Sequence, residues 1–83
     1  MSHSDDVRKY CKINYIETAR EKGEKFVTIR AGDVHNALNF RNRYPLVCSA
    51  IGANLFQEIS NVKRVSIDGP LNGANTEFTF ELL

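Results

Sequence analysis

Arg30, Arg41, Arg43, Lys63 and Arg64 are the side chains of this 83-residue chain best suited to chemistry with a partner. Guanidinium and ammonium groups in such a set can form a basic rim that holds phosphate oxygens. If all five meet phosphate, affinity falls with log salt at a slope of about −4 to −5. The other reading is a solvated surface, since charged residues make up about a quarter of any soluble domain.

The remaining reactive groups point away from catalysis. His3 and His35 have no carboxylate or cysteine neighbours at metal-ligand spacing, so both are expected as surface histidines. Cys11 and Cys48 lack metal-type spacing and are too few for a disulfide framework at this size. Both read as reduced, half-buried thiols of an intracellular protein. Cys48 falls beside an apolar stripe with no histidine partner indicated, which argues against a nucleophile. Gly69 and Gly73 belong to a turn and match no nucleotide-binding fingerprint. No enzyme activity, metal or cofactor is expected.

A chain of this length makes one domain, residues 1–83, with 1–4 expected to be loose. Net charge is +1, unevenly spread: residues 26–45 carry three bases against one acid, and residues 46–83 two against four. The positive excess therefore falls mid-chain. The start, MSHSDD, is polar and acidic, and no apolar run approaches the ~18 residues of a membrane span. Neither a span nor a signal peptide is expected, and the protein is read as cytoplasmic.

The elements that must position the bases follow from patterning. Ser2 or Ser4 can cap a first helix over about 5–22, with Asp5 and Asp6 in its first turn and Gly23 as its stop. Its apolar residues are broadly spaced, so Tyr10, Tyr15 or Ile16 is left exposed if the core needs only one face. Phe26 to Ile29 is a short strand that needs a later partner. Residues 31–38 read as a second helix, with Asp33 near its start and Arg30 unable to cap it through its side chain. Asn39 can end that helix in the left-handed conformation, Phe40 can drop into the core, and Asn42 can cap the next helix with Pro45 in its first turn. This third helix, about 42–56, has Leu46, Val47, Ala50, Ile51 and Leu55 on one face. Two alternating strands follow, with Val65, Ile67, Phe78, Phe80 and Leu82 inward, across a loop at 69–75 made of turn residues.

The order helix, strand, helix, helix, strand, strand, with TIRAGDVHNALNFRNRYPLVCSAIGANLF at its centre, resembles the winged helix-turn-helix family over the full chain. It also looks like a group of small archaeal winged-helix proteins with no assigned activity. The resemblance implies an α+β fold with three helices and a small antiparallel sheet. It also implies a transcription-regulator-like or chromosomal role, with the 42–56 helix in the major groove of double-stranded DNA. Arg43, Tyr44, Ser49 and Asn54 would then be exposed toward DNA, and Arg43 near the helix start could reach a guanine edge or a phosphate. Asn42 would stand at the helix start, and Asn72 and Asn75 on the wing would offer hydrogen bonds. The wing has no Lys or Arg, and Glu77 and Glu81 project from the last strand, which departs from many DNA-binding wings. Helix one can carry a homodimer or protein-partner contact. The alternative is an interaction module that binds no DNA, as fold alone does not fix function.

Overall fold

Asp5 and Asp6 stand in the first turn of the first helix, where the helix dipole favours acids. A computed structural model describes residues 3–70 and 72–83. Helix α1 is continuous through an α segment His3–Cys11, a π segment Lys12–Glu17 and an α segment Thr18–Glu21. Residues 3 and 4, expected to be loose, are helical, so Ser4 lies inside the helix rather than capping it. Ser2 lies outside the described residues.

The π segment explains the broad apolar spacing. Val7, Cys11, Ile16 and Ala19 are all buried, and the step from Cys11 to Ile16 is five residues. In an α-helix such a step turns about 140° away from its starting face. The wider π turn brings Ile16 back toward the core. Ile16 is therefore not the exposed residue that a regular helix suggests. Gly23, at φ +72°, ends the helix as expected. Arg20 lies in the last turn of α1, where the helix dipole favours a base. Its guanidinium donates to the carbonyl oxygens of Ser60, Asn61 and Leu83 at 2.9, 2.7 and 2.8 Å. One side chain thus ties the end of α1 to the C-terminal part of the chain.

Strand β1, Phe26–Arg30, runs straight into helix α2, Ala31–Ala37. Arg30 precedes α2 without a side-chain cap, as expected. The orphan amides go elsewhere: Ala31 and Gly32 donate their N–H groups to Thr76 and Ala74 carbonyls, each at 2.9 Å. Asn39, at φ +59°, follows α2 in the left-handed conformation.

The expected single helix over 42–56 is two helices. Helix α3, Tyr44–Gly52, stops at Ala53, whose ψ of 148° is extended, and helix α4, Asn54–Ser60, follows. Gly52 holds a helix poorly, and Arg64 Nη1 takes its freed carbonyl at 2.6 Å. The break swings Phe56 fully into the core, with its ring centroid 5.2 Å from that of Phe80. It also carries Leu55 off the buried stripe, leaving it 45% exposed. Asn42 does not cap α3: it sits at φ +55°, one residue before the boundary residue Arg43, and α3 has no side-chain cap.

Strands β2, Val62–Asp68, and β3, Glu77–Leu82, complete an antiparallel sheet in the order β1-β3-β2. Phe78 and Phe80 face inward and Leu82 packs against the core, as expected. Val65 and Ile67, expected inward, are exposed. The β2–β3 register skips Val65, and this bulge leaves it 47% exposed. Ile67 lies opposite Phe78 but borders a cleft and is 40% exposed. The described residues thus form a small α+β domain of four helices and one three-stranded sheet over a single core.

Cys11 lies fully inside that core, and burial pushes its thiol up from 9.0 to about 12. The unfolded chain releases this proton from about pH 9, while the folded chain keeps it. Stability is therefore intact below about pH 9 and declines toward pH 12, by about 1.4 kcal/mol per pH unit from this group. Burial, followed by the charges of Tyr10, Asp33 and Cys11, raises Tyr15 in the same direction. Urea midpoints from pH 7 to pH 11 will fall less steeply for Cys11→Ala than for the parent chain. Parallel declines would show that Cys11 does not carry the effect.

Candidate nucleic-acid interface

The turn between α2 and α3 is built on a histidine. His35, expected at the surface, is only 4% exposed and stacks on Tyr44 with ring centroids 4.0 Å apart. Its Nε2 accepts the backbone N–H of Arg43 at 3.2 Å. With Nε2 accepting, the ring proton sits on Nδ1, which is buried without a partner among the described residues. Phe40 packs edge-on against the same ring at 5.9 Å. The imidazole therefore fixes the backbone from which Arg43 projects and the ring of half-buried Tyr44. Nothing in residue spacing signals this contact, because a lone histidine on a helix carries no mark of what stacks on it.

Arg41 and Arg43 are exposed at this turn, and Ser49 is exposed further along α3. Asn54 is exposed too, but it opens α4 beyond the break and accepts a hydrogen bond from Gln57 Nε2 at 3.3 Å. The break separates it from the helix it was expected to extend. Asn42 is exposed in the turn before α3.

The five bases do not form one rim. Arg30 donates to Asp33 at 2.9 Å and to Asn75 Oδ1 at 2.6 Å, so Asn75 is occupied as well. Arg64 is committed through Nη1 to Gly52 at the far end of α3 from Arg43. Lys63 is paired in register with Glu81 on the outer face of the sheet. Arg41 and Arg43 are the two that stand together beside α3.

The hairpin loop does not project freely. Besides bonding the first amides of α2, it brings the Gly73 carbonyl 3.8 Å from the Cys48 thiol. Thr76 Oγ1 accepts from the Gly73 N–H and donates to the Pro70 carbonyl. Asn72 is exposed at φ +58° on the rim of a cleft between loop and α3. Leu71 lies outside the described residues. Two glycines make the close approach possible: a Cβ on Gly32 would sit 2.7 Å from Ala74 O, and one on Gly69 2.5 Å from Asn75 O.

Neither a protein-family model, a curated protein nor a solved structure matches the chain. Away from the turn, Tyr10 and Tyr15 form a half-buried edge-to-face pair on α1 at 6.3 Å. Ile13 is exposed beside a groove also lined by Leu38 and Phe40. Among the described residues no helix is long and apolar enough to cross a membrane, and no cluster of three or more potential metal ligands occurs.

Proposed function

We propose that this chain is a winged-helix protein that grips the backbone of double-stranded DNA through the α2–α3 turn. Arg41 and Arg43 contact phosphates, Ser49 faces the groove, and Asn72 reaches in from the hairpin. The observation that carries this reading is the pair of exposed arginines at the start of α3, on a turn held by His35. The element order and the β1-β3-β2 sheet support the winged-helix assignment. The exposed part of α3 offers little for base readout beyond Arg43 and Ser49, so backbone contact dominates.

With Arg30 and Arg64 bonded internally and Lys63 on the outer sheet face, two phosphate contacts are expected rather than five. Affinity for a duplex will then fall with log salt at a slope of about −2, and Arg41→Ala or Arg43→Ala will each reduce that slope by about 1. Amide shifts in an NMR titration with duplex DNA at low salt test the reading. Silence of the amides between residues 41 and 54 sinks it.

A docking module without DNA binding is the second reading. It is favoured by Leu55 and Ile59, both exposed one turn apart on α4, and by exposed Ile13 beside its groove on α1. A homodimer or protein partner on α1 belongs to this reading. Sedimentation that depends on protein concentration, together with no response to duplex DNA, would favour it.

A further inference from the structure

The cleft between α3 and the β2–β3 hairpin has a volume of about 330 Å³, and small-ligand pockets begin at about this size. One side is apolar: the half-exposed Ile67, the Ala53 methyl and the edge of Phe78, which is itself only 3% exposed. Gly52 keeps this side open, since a Cβ there would lie 3.4 Å from Phe78 Cε2. The other chemistry comes from the Arg64 guanidinium, the Ser49 hydroxyl and the Asn72 amide. Arg64 uses Nη1 on the Gly52 carbonyl, and its planar fork has further N–H donors. Among the described residues no acid lines the cleft and no carboxylate pairs with Arg64.

A half-buried cation that no carboxylate pairs among the described residues, set beside an apolar wall, recognises a particular kind of molecule. It must carry a planar anionic group that matches the guanidinium fork, and a compact apolar body that covers the Ile67 and Ala53 wall. A bare inorganic anion would satisfy Arg64 and leave Ile67 wet. A neutral aromatic would leave the cation unpaired. We infer that this cleft binds a small aromatic carboxylate, its ring against Ile67 and Ala53 and its carboxylate on Arg64, with Ser49 and Asn72 as further donors. The cleft shares Ser49 and Asn72 with the proposed DNA face, but the inference does not rest on DNA binding and its test contains no DNA.

The test is an NMR titration of the full ¹⁵N-labelled chain with sodium benzoate, in parallel with benzamide and inorganic phosphate at constant ionic strength. Benzoate is expected to give saturable shifts of the Ser49, Gly52, Ala53, Arg64 and Asn72 amides with a Kd on the order of 1 mM. Benzamide and phosphate should bind at least about tenfold more weakly, each lacking one half of the recognition. Ile67→Glu sets an acid into the apolar wall and will weaken benzoate about tenfold or more. Ser49→Glu, on the exposed face of α3, will do the same from the opposite side without touching the sheet. The inference is overturned by shifts that do not saturate, by benzamide or phosphate matching benzoate, or by unchanged affinity in a folded Ile67→Glu or Ser49→Glu chain.

Discussion

Phe80→Ala will remove a large part of the folding free energy, by about 3–5 kcal/mol. Phe80 has no solvent exposure and sits on β3, the central strand, between Val27 on β1 and Arg64 on β2. Its ring meets Phe56 edge to face, so truncation opens a cavity and also unseats the residue that α4 delivers to the core. The surrounding strands are hydrogen-bonded on both sides of β3 and cannot collapse far into the void. A domain of this size has a total of roughly 4–12 kcal/mol, so the loss removes from about a quarter to all of it. Urea denaturation followed by circular dichroism measures this directly. A loss below about 1 kcal/mol would mean that the core repacks around the missing ring.

Gly69→Val is expected to cost about 2–4 kcal/mol, through the backbone rather than the core. Gly69 stands at φ +85°, and a Cβ there would lie 2.5 Å from the Asn75 carbonyl oxygen. A β-branched residue resists that conformation and must push residue 75 aside. Asn75 lies between Ala74 and Thr76, whose carbonyls accept the first two amides of α2. Strain in the loop is therefore transmitted to a helix start thirty-odd residues away in sequence. Gly73→Ala is the control: its φ is not positive and its nearest Cβ neighbour is 3.8 Å away, so little change is expected. Thermal melts give the cost, and hydrogen exchange at Ala31 and Gly32 shows whether the helix start has come loose. Unchanged protection of those two amides would break the link between loop and helix.

Local chemistry was legible in the sequence, and contacts between distant segments were not. Asp5, Asp6, Gly23, Asn39 and Pro45 each announced an element boundary through a neighbour-scale effect, and each stands where that effect requires. Phe78 and Phe80 followed from alternation alone. The misses share a cause. Val65 is displaced by a bulge whose register depends on the partner strand, and Leu55 by a helix break sealed by an arginine twelve residues away. His35 is buried because Tyr44 and Phe40 close over it, and Arg30 is occupied by an asparagine on the far loop. At the candidate site this matters most for the bases. Their types were visible, but the intramolecular partners that leave Arg41 and Arg43 as the pair beside α3 were not.

The π segment of α1 has a bearing on how the length of this chain can vary. Such a turn holds about one residue more than an α-turn spanning the same distance. Losing a residue from an ordinary helix rotates everything beyond it by about 100° and takes half its buried face out of the core. Between Lys12 and Glu17 the same loss would let the turn close to α-geometry, with Val7 and Cys11 on one side and Ala19 and Arg20 on the other still facing as they do now. Asn14, exposed and with its side-chain amide donating to the carbonyl of Tyr10, is the residue most readily spared. The middle of a buried helix, ordinarily the last place to accept a deletion, is here a point at which the chain can shorten by one.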